Sequence, residues 1–326
     1  MDTHDISIPA TRAGTCAGTC ADTCAARCFG LSLCLGLMWL AAALAFTPRS
    51  AMAQPATATA ATATDGAAAL RTKLQSLAPQ LARNAFKRPL TIESNEASDR
   101  LSGDVYALVG HPFERVNSAL REPAAWCQVL MLHLNIKHCA VKSGGAGLAV
   151  AAGRKFDQPL SDAQKLDFAY SVRKADADYL HVRLSAASGP LSTRDYDIEL
   201  EAAPADNGKT ALHMSYAYAY GTAARLAMKG YLATLGSDKV GFTRLGQADG
   251  GGFIGGVRGV VERNTMRYYL AIDSYLDAPA PGQLEQRLGE WFDATEQYAQ
   301  QLHELERTDY MAMKRHEFQR LQQPAS

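Results

Sequence analysis

The sequence predicts an α+β fold in which an antiparallel sheet with one wet face is followed by one long helix and then by an extra C-terminal amphipathic helix. Three observations lead there. Successive segments alternate apolar and polar residues with period two, turn signals rather than helices separate them, and from Val257 the apolar period changes to 3.6. A parallel α/β fold would show continuous apolar strands with a helix between each pair.

The elements follow in order. Residues 67–83 read as a helix, with Leu70, Leu74, Leu77 and Leu81 on one face, closed by Pro89; residues 70–99 are therefore assigned to an N-terminal helical segment. From Gly103 the period becomes two, with Val105, Ala107 and Val109 on one side. Pro112 and Pro123 each open a short helix, where a missing N–H costs nothing. Strands follow with Leu132, Leu134 and Ile136, then Leu148, Val150 and Ala152, then Leu166, Phe168, Tyr170 and Val172 on single faces. The clearest alternation comes next: Leu180 to Ala186, Tyr196 to Leu200, and Leu212 to Tyr220, broken by Ser188-Gly189-Pro190 and Asp206-Asn207-Gly208.

A helical insert (222–235), a strand (239–245) and a glycine-rich loop (246–256) precede the long helix. Val257, Val260, Val261, Asn264, Tyr268, Ala271, Ile272 and Tyr275 form its apolar stripe, and Pro279 and Pro281 stop it. The tail, 281–322, carries Leu284, Leu288, Trp291, Thr295, Tyr298, Leu302 and Leu305 at heptad spacing. Such a seam either pairs with a second copy or packs back on its own domain. Spacing alone leaves both open.

The chain has 326 residues, 47% apolar and 20% charged, enough for a sizeable core. Lys+Arg and Asp+Glu both total 33, so no surplus of positive charge exists to draw the protein onto nucleic acid or anionic lipid. At the N-terminus, Arg27 precedes the apolar run Phe29 to Phe46, and Ala51-Met52-Ala53 is a small-x-small cleavage site. Residues 1–53 are thus expected to be a signal peptide and 54–69 an Ala/Thr leader, leaving a periplasmic or secreted protein with no stable membrane span. A retained anchor is the alternative reading of the same run. Five of the seven cysteines lie in that segment. Cys127 and Cys139 remain, and in an oxidising compartment they are expected to form a disulfide contributing about 3 kcal/mol by loop closure.

The stretch Gly103-Asp104-Val105-Tyr106-Ala107-Leu108-Val109-Gly110-His111-Pro112-Phe113-Glu114-Arg115-Val116, with Leu120 and Glu122-Pro123-Ala124-Ala125-Trp126, resembles the helix-grip superfamily of START lipid-transfer domains and polyketide-cyclase-like proteins. The resemblance spans residues 100–278. It implies a curved antiparallel sheet gripping the long helix, with room between them for a small hydrophobic or amphipathic ligand. The insert at 222–236 and the tail beyond 281 depart from the minimal fold, and no catalytic residue of the superfamily carries over.

Within that frame, Tyr216, Tyr218 and Tyr220 point the same way as Leu212 and Met214, so they line either a core or a cavity. Tyr196 and Tyr268 join them as candidate ligand contacts, and Arg263 or Arg267 is a candidate partner for a carboxylate headgroup. Arg258 and Glu262, four apart, read as an exposed ion pair. The segment Gly250–Gly256 reads as a hinge or gate over the cavity. Histidine spacing and motifs point to no metal and no cofactor. The alternative is a cyclase- or hydrolase-type enzyme pairing Tyr216 or Tyr218 with Arg194 or His181. A third reading is an interaction protein that dimerises through residues 284–305.

Overall fold

The computed structural model describes residues 66–234, 238–247 and 251–322. The expected signal peptide and most of the Ala/Thr leader lie outside the described residues, as does part of the expected gate. No helix among the described residues is long and apolar enough to cross a membrane.

Eight strands form one antiparallel sheet: β1 (Leu90–Glu96), β2 (Arg100–Val109), β3 (Ile136–Val141), β4 (Gly147–Ala152), β5 (Gln164–Ala175), β6 (Leu180–Ser188), β7 (Thr193–Pro204) and β8 (Thr210–Tyr220), in the order β1-β2-β8-β7-β6-β5-β4-β3. The sheet is curved and does not close. Register shifts at Ile136/His138, Val172/Lys174 and Arg194/Asp197 mark bulges, which bend a strand and sharpen its twist. Two short helices, α3 (Phe113–Leu120) and α4 (Pro123–Leu130), lead from β2 to β3. After β8 come α5 (Thr222–Ala233) and the long α6 (Gly256–Asp277), whose first residue takes φ of 62°, a conformation that favours glycine.

The alternation predicted for β2 and β6 to β8 is the alternation observed, and in β5 it holds from Leu166 to Tyr170, whereas Val172, beside the bulge, is exposed. Cross-strand neighbours Val105, Met214 and Leu200 sit in register, all fully buried. Helix α6 comes down on β2 at Gly103, where a Cβ would collide with Thr265 Oγ1. A larger residue there would require Thr265 or its helix to shift.

Three expectations are corrected. Residues 90–96 are a strand, not part of a helical segment: Ile92 pairs with Val105, and the sheet domain therefore begins before residue 100. The helical part is limited to α1 (Gly66–Ser76) and α2 (Ala78–Ala82), which lay Leu70, Leu74, Leu77 and Leu81 in a second small core that includes Tyr179, Ala203 and Ala211 on the convex side of the sheet. The strand expected at 239–245 is a single bridge, Arg244 to Phe253, in a loop tied down by the buried Glu262. Glu262 accepts hydrogen bonds from the Phe242 and Thr243 amides (2.6 and 2.9 Å), Thr243 Oγ1 (2.7 Å) and Ser94 Oγ (2.6 Å). It makes no exposed ion pair with Arg258, which bonds Ser94 instead.

The tail is not one amphipathic helix but three: α7 (Leu284–Glu296), α8 (Ala299–Leu302) and α9 (Arg307–Gln322). Leu288, Trp291, Thr295, Tyr298 and Leu302 are buried within the chain. Trp291 donates to the Arg267 carbonyl and Tyr298 to the Phe86 carbonyl. The seam at 284–305 thus packs these residues on its own domain, one of the two outcomes that its spacing left open. α9 is fastened by two fully buried lysines sharing one carboxylate: Lys137 and Lys314 lie 2.9 and 2.7 Å from Glu317. Removing one member of such a group costs about 3–5 kcal/mol.

Candidate functional site: a cavity between sheet and helix

The curvature of the sheet leaves a cavity of about 1070 Å3 beside α6. Val257, Val260, Asn264 and Tyr268, at i, i+3, i+7 and i+11 of α6, form one wall. β8 supplies Tyr216, Tyr218 and Tyr220; β7 supplies Tyr196 and Ile198; Leu166 and Phe168 of β5 and Val150 of β4 complete the apolar lining. Leu130, His133, Asn135 and Ile136 close it from the segment between α4 and β3. Arg154, Asp162, Gln164, Leu191 and Ser192, all exposed, lie around its rim, so the cavity meets solvent at the β4–β5 and β6–β7 connections. Leu191 is 73% exposed, an apolar residue held in water at the mouth.

The tyrosines form a connected set of rings. Tyr196 stacks on Tyr218 at 5.5 Å, Tyr218 meets Tyr216 at 5.6 Å, and Tyr216 meets Tyr268 at 5.4 Å. Aromatic pairs at such distances contribute about 0.5–1.5 kcal/mol beyond area burial. Tyr196 OH bonds Thr193 Oγ1 at 2.7 Å. Burial, reinforced by the neighbouring tyrosines, holds Tyr216, Tyr218 and Tyr268 well above the ordinary phenol range. They are therefore neutral hydroxyls, able to donate and accept, in an otherwise apolar wall.

Of the residues singled out in the sequence, the structure brings Tyr196, Tyr216, Tyr218, Tyr220 and Tyr268 together on this cavity. Leu212 and Met214 share their strand face but lie beyond the cavity's end, fully buried in the core. Arg263 and Arg267 are buried and do not line the cavity. Each lies one position before a cavity residue, which is a hundred degrees around the helix. Arg263 donates to the Val240 carbonyl, while Arg267 donates to the Leu302 carbonyl and to Glu304 at 3.0 Å. Arg194 pairs with Asp99 at 2.8 Å and His181 lies 3.7 Å from Glu199, both away from the tyrosines, so the proposed catalytic pairing is not assembled. Cys127 and Cys139 are joined in a disulfide. Among the described residues no cluster of metal-ligating side chains occurs.

The polar residues of the wall were missed. Asn264 falls within the stripe that the helical period marks as apolar, and no spacing or motif singles out His133. His133 is 3% exposed and stacks on Tyr268 at 4.8 Å. Its Nδ1 accepts the Asn135 amide at 3.2 Å. Burial, then the charges of Arg267, Lys314 and Lys155, hold its pKa well below the ordinary imidazole value, so the ring is neutral and carries its proton on Nε2.

With the sheet, the gripped helix and the cavity between them, the architecture is of the helix-grip kind. Solved structures with this likeness include human StAR-related lipid transfer protein 5 (10% identity, covering 65% of this chain and 97% of that one, TM-score 0.33). A START superfamily protein from Mycobacterium smegmatis (13% identity, 43% and 93%, TM-score 0.28) and a truncated norcoclaurine synthase from Thalictrum flavum (12% identity, 44% and 91%, TM-score 0.31) are similar too. No family model matches the sequence, and no curated protein matches it.

Proposed function

We propose that this chain is an exported binding protein for a small hydrophobic or amphipathic molecule, held between the sheet and α6. The observation that carries the reading is the cavity itself: about 1070 Å3, walled mainly by aromatic and aliphatic side chains and open at one rim. Ligand sites typically enclose roughly 300–1,000 Å3 with a few placed polar groups. A core of ordinary packing leaves few voids larger than one water molecule, so a gap of this size is a feature of the fold and not of loose packing. Export, with cleavage near Ala53, is part of the same proposal and rests on the apolar run and the small-x-small site.

Native mass spectrometry of the protein purified from its own host tests the reading. The expected result is a mass excess that disappears on denaturation, together with a mature N-terminus close to Gln54. Protein that carries no small molecule and takes up no neutral fluorescent dye, such as Nile red, would refute the binding role. A mass that includes residues 1–53 would refute cleavage alone.

A further inference from the structure

The walls of the cavity are not uniformly apolar, and most of their polar atoms are already engaged. Tyr196 OH bonds Thr193 Oγ1 at 2.7 Å, and the His133 ring is hydrogen-bonded to the side chain of Asn264 and to the Asn135 amide. The Tyr220 hydroxyl is sealed, with Glu96 beside it. Tyr216, Tyr218 and Tyr268 differ. Each lines the cavity, and its hydroxyl makes no hydrogen bond among the described residues. These oxygens are not sealed in either: each keeps accessible surface. A polar group that loses water and gains no partner is costly, so a molecule that fills the space must meet all three.

Tyr216 and Tyr218 stand two residues apart on β8, about 7 Å along the strand. Tyr268 comes from α6, its ring 5.4 Å from that of Tyr216. A carbonyl oxygen accepts two hydrogen bonds at most, so a single one leaves a phenol unpaired. Flat faces lie beside them, with Tyr196 stacked on Tyr218 at 5.5 Å and Phe168 edge-on to Tyr196 at 6.3 Å. Charge is kept at the entrance. Among the described lining residues only Arg154 and Asp162 are charged, both exposed at the rim and opposite in sign. The depth therefore offers no counter-ion, and an unpaired charge taken there is costly.

Resting on the binding reading above, we propose that the hydroxyls of Tyr216, Tyr218 and Tyr268 are the hydrogen-bonding set that selects the cargo. The cargo is then a neutral, ring-built molecule bearing at least two oxygen atoms on its body, and neither a hydrocarbon nor a fatty chain with one charged end. The rings hold its faces, and the three phenols read its oxygens.

Four ligands on one skeleton test this: trans-stilbene, 4-hydroxystilbene, 4,4′-dihydroxystilbene and 4,4′-dimethylstilbene, titrated by fluorescence into the purified protein. In the triple variant Tyr216→Phe/Tyr218→Phe/Tyr268→Phe, the monohydroxy ligand is expected to bind ~5-fold and the dihydroxy ligand ~25-fold more weakly, for one and two lost hydrogen bonds. Stilbene itself should stay within about twofold, because the ring contacts are kept. Equal changes for all four, or no loss for the dihydroxy ligand, would overturn the proposal. The wild-type protein gives a second test that needs no variant: the dihydroxy ligand should bind more tightly than the dimethyl one, whose methyl groups match hydroxyls in size but leave the phenols unpaired. The reverse order sinks the recognition set and leaves the binding role standing. Failure of all four while Nile red is taken up does the same, and failure of Nile red as well sinks both.

Discussion

The two halves of β8 face the same helix and behave differently. In the first half, Leu212 and Met214 meet Ala107, Val105, Ala202 and Leu200 across the strands and are sealed into a solid core, with no accessible surface. In the second half, Tyr216, Tyr218 and Tyr220 project from the same face, yet the helix opposite them leaves a cavity. The outward side differs as well. His213, next to Met214, is clamped between Glu201 at 2.7 Å and Asp104 at 2.9 Å and stacks on Tyr106 at 4.3 Å. Beside the tyrosines the outward residues are Ala217 and Ala219. One strand therefore holds the domain together at one end and lines a cavity at the other.

The contrast is open to measurement. Met214→Ala at the sealed end is expected to cost about 2–5 kcal/mol, as large-to-small changes in filled cores do; urea unfolding would show it, and a loss below about 1 kcal/mol would mean that this end is not tightly packed. Reducing the Cys127–Cys139 disulfide is expected to cost about 3 kcal/mol by loop closure. Because the bridged segment carries Leu130, His133 and Ile136 of the cavity wall, reduction should also weaken ligand binding, which paired melting and titration with and without dithiothreitol would reveal.

His213 gives a pH test of the sealed end. Burial alone would lower its pKa, but the hydrogen bonds and charges of Asp104 and Glu201 outweigh this and raise it from 6.5 to about 9. A raised histidine stabilises the fold fully below pH 6.5, and that contribution is lost as the pH climbs through about 9; the shift corresponds to about 3 kcal/mol. The wild-type stability should therefore fall between pH 6.5 and 9.5 relative to His213→Asn, and parallel curves would show that the clamp contributes nothing. The smallest effect belongs to the open end. Tyr218→Phe removes a hydroxyl and leaves the ring, so stability should change by less than about 1 kcal/mol; a loss comparable to that of Met214→Ala would erase the distinction between the halves.

Much of this was legible in the sequence. Strict alternation in β6, β7 and β8 fixed an antiparallel sheet, and the 3.6 period fixed α6 nearly to the residue. What escaped has physical causes. β1 alternates Ile92, Ser94 and Glu96 against Thr91, Glu93 and Asn95, so its inner face is too polar to announce a strand. Ser94 is polar because it binds Glu262, a tertiary partner 168 residues away. The tail kept a heptad rhythm although it breaks into three helices, because each piece packs apolar residues on the same domain and the breaks at Gln297 and His303 carry no proline or glycine. For the site, a row of tyrosines on one face could be recognised as a candidate wall, but where filled core gives way to open space depends on the path of α6. The arginine assignments failed for the same reason: helical period gives a residue's angle around its own axis, and only the packing says what lies at that angle.

Gly103 governs that path. It does not line the cavity, yet strand and helix come so close there that a Cβ would lie against Thr265. The helix rests there as a beam rests on a fulcrum: a side chain added at this position must displace Thr265 or the helix that carries it. The room over the tyrosines therefore depends in part on the absence of an atom at a residue that does not line the cavity.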